Sequence, residues 1–186
     1  ITDSLVGSEM CIRDRSLYFD GNVNISLWLD EETTPEKKIK LLHLLDDIKD
    51  PVRKMDLLIT AKNFVCPSLF MAEELRKKGG KTWVYQFNRV RDDKLAQKYG
   101  AFHGAELPYV FDTHDEWLPT NEKDRELTRE IQSYWLSFAK TGNPNNGDAV
   151  TWPKYDSYNN PTLVLDDEIY QRNHESSEIC KIMDLF

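Results

Sequence analysis

One histidine in this sequence has neighbours suited to proton transfer. His103 lies between glycine and alanine residues in the segment 100–105, shortly after the β-branched and aromatic run 82–87. A general base needs a rigid element that aims it, and small neighbours that let a substrate and a nucleophile approach the ring. His103, in a loop that follows a predicted strand, is therefore a candidate general base.

The same segment belongs to a longer pattern. Residues 103–111 read H-G-A-E-L-P-Y-V-F, and a second stretch reads I-Q-S-Y-W-L-S-F-A-K-T-G-N-P-N over 131–145, followed by W-P-K-Y over 152–155. Both resemble segments of the type-B carboxylesterases, the cholinesterase-like branch of the α/β-hydrolases. The resemblance covers residues 16–186. It implies an α/β fold class, as the incomplete C-terminal portion of a carboxylesterase type-B domain, with a mixed, mostly parallel sheet flanked by helices.

The resemblance also implies a chemistry. It is the hydrolysis of a small-molecule carboxylic ester through an acyl-enzyme, with His103 as the catalytic histidine and no cofactor. Glu106 is implied as a buried group that supports the histidine; an ordinary loop carboxylate is the alternative. The serine of this family precedes the histidine on a G-x-S-x-G elbow. This sequence contains neither that motif nor a glycine-rich oxyanion segment, so we expect a fragment that is inactive alone.

Two other functional interpretations stay open. The cholinesterase-like fold also serves in non-catalytic binding and adhesion proteins that have lost the serine. Retention of His103 favours the enzyme, and the upstream sequence would separate the two, since it either carries the serine or replaces it. A free-standing small α/β domain would require the residues before Ser16 to begin a sheet. The natural ester substrate cannot be assigned from this part of the sequence.

Residues 1–15 fit neither the resemblance nor a secondary-structure pattern. We predict that they are a non-native segment derived from a sequencing adapter, and we exclude them from fold reasoning. Asp14 falls near the expected position of the family's acid, usually a glutamate, because residues 16–19 resemble the aromatic segment that follows it. Since Asp14 belongs to the suspected segment, we expect the true acid to lie upstream.

The composition is that of an acidic globular chain. It is 40% hydrophobic and 30% charged, with a net charge of −8 and a mean hydropathy of −0.61. Nucleic acid is not an expected partner, because phosphate contacts need a basic face. No stretch approaches the roughly 20 apolar residues of a membrane helix, so no membrane span is predicted.

Local patterns predict helices alternating with a few strands. Cap residues followed by proline predict helix starts at Thr34 and Asp50. Apolar spacing predicts further helices over 67–78, 123–140 and the last ten residues, and strands over 82–87 and 161–165. Trp135 and Phe138 are predicted core residues. His43 is predicted to pack among leucines, and His174 to lie in a polar loop.

The remaining candidate sites concern cysteines, glycosylation and metals. Cys66 and Cys180 resemble a pair that forms a disulfide in secreted cholinesterase-like proteins, which favours a secreted or periplasmic protein over a cytoplasmic one. Asn24 opens a possible glycosylation triplet, Asn-Ile-Ser. The cluster 112–116 (D-T-H-D-E) is predicted to be a solvated acidic loop rather than a metal site, since contiguous loop residues seldom converge on one ion.

Overall fold

The computed structural model describes residues 4–9, 24–102, 104–114, 119–174 and 176–185. Four residues singled out above, His103, Asp14, Asp115 and Glu116, lie outside the described residues.

The helices are α1 (Ile25–Glu32), α2 (Pro35–Leu44), α3 (Pro51–Thr60), α4 (Cys66–Lys77), α5 (Lys94–Tyr99), α6 (Leu107–Phe111), α7 (Glu122–Thr141) and α8 (Ser177–Met183). A π-helical segment, Ala61–Val65, joins α3 to α4. The strands are β1 (Ser4–Glu9), β2 (Thr82–Phe87), β3 (Pro161–Leu165) and β4 (Tyr170–Asn173).

The predicted helix starts are confirmed by their capping contacts. The Thr34 hydroxyl accepts a hydrogen bond from the Lys37 backbone N–H at 3.4 Å, and α2 begins at the next residue. The Asp50 carboxylate accepts from the Val52 N–H at 2.9 Å, and α3 begins at Pro51. A side-chain oxygen replaces a missing intrahelical acceptor in each case, and proline in the first turn has no N–H that needs one.

The four strands form one mixed sheet in the order β1-β2-β3-β4. The β1–β2 and β2–β3 pairs are parallel, and β3–β4 is antiparallel. A mixed, mostly parallel sheet is therefore confirmed. The expectation that residues 1–15 have no regular structure is wrong for Ser4–Glu9, which pair along one edge of β2. That edge presents unpaired N–H and C=O groups which an extended segment satisfies. The foreign origin of residues 1–15 stays a prediction.

Helices cover both faces of the sheet. Alternation along β2 sends Val84 into one apolar cluster, and Trp83 and Phe87 into the other. The first cluster is formed with α1, α2, α3, α4 and α8; the second with α6, α7 and the segment around Trp152. Burial on both faces explains why β2 has apolar or aromatic side chains on both sides, at Trp83, Val84, Tyr85 and Phe87.

The second cluster is rich in aromatic side chains. Trp152 is fully buried, and its indole N–H donates to the Val84 carbonyl at 2.9 Å, which fixes the ring against β2. Trp135 lies 5.5 Å from Trp152 between ring centroids, and Phe138 lies 5.8 Å from Trp83 in an edge-on contact. Trp135 and Phe138, predicted as core residues, are half-buried and pack against this cluster. Their helix, α7, is thereby fixed to the sheet.

One helical stretch is long and apolar enough to cross a membrane by length and composition. It runs through α3, the π-helical segment and α4, Pro51–Lys77, and its most apolar window has a mean hydropathy of 1.2. This stretch differs from the prediction that no part of the sequence is apolar over nearly the length of a membrane helix. More than half of that window is buried inside the protein, which is what a core helix of the first cluster requires.

A disulfide joins Cys66, at the start of α4, to Cys180 in α8. The two Cα atoms are 5.4 Å apart, 114 positions separate the residues in sequence, and both side chains are fully buried. The bond ties the last helix to the middle of the chain across the first cluster.

Two histidines lie in surroundings opposite to those expected. His43 is exposed in the last turn of α2, because Leu41 and Leu45 occupy the inward positions. His174 is buried: its backbone N–H donates to the Asn160 carbonyl at 3.0 Å, and its ring Nδ1 accepts from the Ser176 N–H at 3.3 Å. Pairing of β4 with β3 draws the end of the predicted polar loop into the protein.

The buried ring of His174 predicts a loss of stability in acid. Burial and the nearby Arg172 lower the pKa of His174 from 6.5 to about 4. Between about pH 4 and about pH 6.5 the unfolded chain binds a proton at this histidine that the folded chain does not. The free energy of unfolding therefore rises with pH through this range and reaches its full value above about pH 6.5. This pKa shift corresponds to about 3 kcal/mol lost by pH 4. Urea unfolding of the wild type at pH 7.5 and at pH 4.5 measures this loss of stability. The loss between the two pH values should be smaller in the His174→Gln variant. An equal loss in the variant and the wild type would contradict the assignment.

Candidate functional site

The candidate site is built on the chain that leaves β2. This chain, residues 88–106, connects β2 to α6 and contains α5; we call it the histidine segment. At its start the backbone N–H groups of Asn88 and Arg89 donate to the Leu165 carbonyl of β3, at 2.8 and 3.2 Å. The segment therefore leaves the sheet in a fixed direction, at the carboxyl end of a central strand.

The backbone on each side of position 103 is held in a turn. The Phe102 N–H donates to the Gly100 carbonyl at 3.1 Å, and the Ala105 N–H donates to the Phe102 carbonyl at 2.9 Å. Gly104 has φ +82°, a left-handed conformation that costs an L side chain energy even where space is available. A Cβ atom there would meet Leu107 at an ordinary 3.6 Å, so the glycine is required by backbone conformation rather than by crowding.

Glu106 closes the histidine segment. Its backbone carbonyl accepts the N–H groups of Tyr109 at 2.9 Å and Val110 at 3.0 Å, which begins α6. Its side chain is 7% exposed. The aromatic residues on either side of Glu106 differ in environment: Tyr109 is fully buried, Phe102 is half-buried and Phe111 is exposed.

A buried carboxylate connects this region to α7. One oxygen of Asp124, Oδ1, accepts from the Tyr109 hydroxyl at 2.7 Å and from Arg89 Nε at 2.8 Å. The other oxygen accepts from the Asn121 N–H at 2.9 Å, while the Asp124 N–H donates to the Asn121 side chain at 3.0 Å. These reciprocal bonds form a capping box at the start of α7. Asp124 itself is 1% exposed.

A second layer of contacts surrounds the Tyr109 ring. The Arg91 guanidinium lies over its face, 4.8 Å from the centroid, and His114 meets it edge-on at 5.1 Å. Arg91 Nη2 is 3.2 Å from His114 Nδ1, and His114 Nε2 is 2.7 Å from the Thr128 hydroxyl. Because arginine only donates, Nδ1 is the acceptor and Nε2 carries the proton. Thr128 in turn donates to the Asp124 carbonyl at 2.8 Å.

The electrostatics of the cluster follow from these bonds. Burial alone would raise the pKa of Asp124, but hydrogen bonds from Asn121, Tyr109 and Arg89 outweigh it and lower that pKa. Burial, with the hydrogen bond to Asp124, raises the pKa of Tyr109. Burial and the charge of Arg91 lower the pKa of His114. At neutral pH the cluster therefore holds an ionised Asp124, a protonated Tyr109 hydroxyl and a neutral His114.

A cavity of about 260 Å³ lies against the histidine segment. Phe102 and Gly104, the neighbours of position 103, both line it, together with Arg89, Arg91, Ala96, Gly100, Ala105, Leu107, Pro108, Tyr109 and Thr113. Most of this lining is apolar. An apolar recess beside a candidate general base is suited to a small uncharged group of a substrate.

The described part of the acidic cluster, Asp112–His114, is only partly solvated. Asp112 and Thr113 are exposed, as predicted, but His114 is half-buried and hydrogen-bonded to Arg91 and Thr128. Among the described residues, no group of three or more histidine, cysteine, aspartate or glutamate side chains is arranged to hold a metal ion. The histidine is used instead to join the loop to α7.

The other predicted sites lie away from the histidine segment. Asn24 is the exposed N-cap of α1, where its Oδ1 accepts from the Leu27 N–H at 3.0 Å. The Cys66–Cys180 disulfide lies in the first cluster, on the other face of the sheet. Asn24 also belongs to that face, through the helix that it caps.

The sequence analysis missed the cluster of Arg89, Tyr109 and Asp124. A signal for one member was present, because Asn121 and Asp124 have the spacing of a capping box at the start of an apolar-periodic helix. No local pattern pairs Arg89 with Asp124, since 35 positions separate them. Their pairing becomes visible once α7 is packed beside the carboxyl end of β2.

Comparisons with known proteins agree on one family. The model of the carboxylesterase family matches residues 14–183. Para-nitrobenzyl esterase of Bacillus subtilis (strain 168) is 39% identical over 101 residues, which are 52% of this chain and 20% of that protein. Carboxylesterase 1C of Rattus norvegicus is 32% identical over 144 residues, 74% of this chain and 25% of that protein.

Solved structures give the same result for the fold. A thermophilic pNB esterase superposes with a TM-score of 0.70 and 27% identity, over 97% of this chain and 38% of that one. Carboxylesterase EST55 of Geobacillus stearothermophilus superposes with a TM-score of 0.77 at 19% identity, over 97% of this chain and 40% of that one, and shows the α/β-hydrolase fold alone. The chain spans a fifth to a quarter of the length of the two curated relatives. The family match and the fold together establish that this chain belongs to the carboxylesterase family.

Proposed function

We propose that this chain is the histidine-bearing C-terminal part of a serine carboxylesterase. The observation that carries the proposal is the motif H-G-A-E-L-P-Y-V-F at residues 103–111, inside the range that the family model matches. Relatives that bear the name esterase support ester hydrolysis as the reaction. Because the chain spans a minor part of their length, the nucleophile and oxyanion hole are assigned to the remainder of the parent protein.

The proposed reaction proceeds in two steps. A serine of the upstream part attacks the ester carbonyl carbon while His103 accepts its hydroxyl proton. The C–O bond to the alcohol then breaks, the alcohol takes that proton from the imidazolium, and an acyl-enzyme remains. Water attacks the acyl carbon with His103 again as base, which releases the carboxylic acid and restores the serine. Backbone N–H groups upstream would stabilise the oxyanion.

The described residues support this role for position 103 in three ways. Hydrogen bonds hold the backbone at Phe102 and Ala105, and the glycines at positions 100 and 104 place no side chain there. The cavity beside Phe102 and Gly104 offers space for part of a substrate. Glu106, three positions after the histidine, is buried; as part of the proposal, its carboxylate supports the imidazolium that forms during the reaction.

We also propose that the protein is secreted or periplasmic, and so lies in an oxidising compartment. Its support is the disulfide between Cys66 and Cys180, because such bonds persist where thiols are not kept reduced. Asn24 is exposed and its Nδ2 is not used in the helix cap, so it is a candidate acceptor for glycosylation in a eukaryotic host.

The test is an assay of the whole protein. Residues 16–186, joined to the upstream segment of the same gene, form what we call the joined protein, and its substrate is p-nitrophenyl butyrate. Steady hydrolysis above the rate of heat-inactivated protein is expected. A folded joined protein without hydrolysis, whose upstream segment has glycine or alanine in place of the elbow serine, would reject the esterase and leave the non-catalytic binding protein as the better account.

A further inference from the structure

One buried carboxylate holds both ends of the histidine segment. Asp124 Oδ1 bonds Arg89, the second residue of that segment, and Tyr109, the third residue beyond its end. Twenty positions separate these two anchors, and His103 lies between them in sequence. We propose that Asp124 is a positioning residue, which sets the place of the backbone at Phe102 and Gly104, the neighbours of His103, relative to the core.

Asp124 is itself rigidly placed. The capping box with Asn121 fixes its backbone and one carboxylate oxygen. Its helix, α7, is 20 residues long and buries Ile131 and Tyr134 in the second cluster. A residue on a packed helix has a more precisely fixed position than a residue on a loop, so a loop bonded to it is fixed relative to the core.

The charge of Asp124 is needed for both bonds to be strong. Arg89 is a buried cation, and Asp124 is its fully buried anionic partner, with a second contact from Arg89 to the more exposed Asp167 at 2.8 Å. An ionised carboxylate has only acceptor atoms, so it can accept hydrogen bonds from Arg89 and Tyr109 at the same time. An amide at position 124 would lose the charge and present an N–H₂ group toward donors.

Further contacts around Tyr109 join Asp124 to the chain beyond the histidine segment. Thr128 bonds both the Asp124 carbonyl and His114, and Arg91 contacts both His114 and the Tyr109 ring. The chain is therefore tied to α7 before position 103 through Arg89, and after it through Tyr109 and His114, with Arg91 bonded to His114. A displacement of about 1 Å at a reacting group costs on the order of 10²-fold in rate.

This inference rests on the proposed function, and its first test uses the joined protein. The variant is Asp124→Asn, and the matched control is Asp167→Asn, which removes a second charged partner of Arg89 but leaves the bond from Tyr109 to Asp124 in place. For p-nitrophenyl butyrate we expect Asp124→Asn to lower kcat by about 10- to 100-fold with KM changed less than about threefold. The control should keep kcat within about twofold. Equal kcat values for Asp124→Asn and wild type, or equal losses in the two variants, would overturn the proposal.

A second variant keeps the proposal testable if Asp124→Asn does not fold. Tyr109→Phe retains the ring and removes the hydroxyl that reaches Asp124. We expect a smaller loss of kcat, about threefold to tenfold, with KM again unchanged. In a folded double variant the two losses should not multiply, because both remove the same contact. Unchanged kcat in Tyr109→Phe, or losses that multiply fully, would count against Asp124 as the anchor.

Hydrogen exchange separates this inference from the proposed function. If the wild-type joined protein hydrolyses no ester, the esterase proposal fails, and the anchor is still measurable at the amides of Phe102, Gly104 and Ala105. Their exchange should be faster in Asp124→Asn than in wild type and unchanged in Asp167→Asn. Equal exchange in all three proteins would overturn the positioning role whatever the activity.

Discussion

Replacement of His103 by alanine is expected to lower kcat of the joined protein by at least about 10³-fold. Serine is a weak nucleophile at neutral pH, so its attack depends on a neighbouring base that takes the hydroxyl proton. In the proposed reaction the same imidazole later protonates the leaving alcohol and activates water, so the variant should lose assistance in each step. KM for p-nitrophenyl butyrate should change far less than kcat, because the ring acts in the transition state rather than in binding.

The chain offers a matched control for this variant. His43 is an exposed histidine in α2, whose helix packs on the other face of the sheet. His43→Ala removes the same side chain and should leave kcat and KM unchanged. Retention of more than a tenth of wild-type kcat by folded His103→Ala would contradict the assignment, as would a comparable loss in His43→Ala.

Loss of the Cys66–Cys180 disulfide is expected to lower the free energy of unfolding by about 4 to 5 kcal/mol. The bond closes a loop of more than a hundred residues, and the chain-entropy model gives this magnitude for such a loop. Both sulfur positions are fully buried, so the test variant is Cys66→Ala/Cys180→Ala, which avoids placing a hydroxyl in the core.

Urea unfolding in the presence and absence of dithiothreitol measures this contribution. The oxidised protein should lose stability on reduction, and the double alanine variant should be insensitive to the reductant. The difference in urea midpoint, multiplied by the slope of the transition, gives the difference in the free energy of unfolding. A difference below about 0.5 kcal/mol between the double variant and the oxidised protein would contradict the expected role of the bond.

Elements with strong local signals were predictable from the sequence. The strands over 82–87 and 161–165 agree with the predicted spans, and the helix over 123–140 is α7 within a residue at each end. Helix α7 combines clear apolar periodicity with clear boundaries, the Asn121 capping box at its start and Gly142 in a left-handed conformation after its end. The α/β class, which the resemblance implied, agrees with the alternation of these elements.

Short or polar elements were not predictable in the same way. Strand β4 has the sequence Y-Q-R-N and little burial, so it is a strand because β3 pairs with it. Helix α6 has five residues and begins within the motif that carried the resemblance. β1 lies in a segment that we had excluded, and pairing with the edge of β2 orders it. In each case tertiary contact, rather than local propensity, decides the structure.

The candidate site divides along the same line. The histidine motif could be identified because nine adjacent residues resemble a known family. The Arg89–Asp124–Tyr109 cluster could not, since its members come from the exit of β2, from α6 and from the start of α7, and only folding brings them together. Buried ion pairs of high sequence separation leave no periodic signal.

The central claim is that His103 of this chain activates a serine supplied by the rest of the parent protein. The most direct measurement is the rate at which a fluorophosphonate labels the joined protein, followed by mass spectrometry of the intact chain. The account predicts one adduct per chain, on the upstream elbow serine, with fluoride released, and labelling at least about 100-fold slower in His103→Ala. Labelling at equal rates in both proteins, or no adduct on the folded wild type, would contradict it.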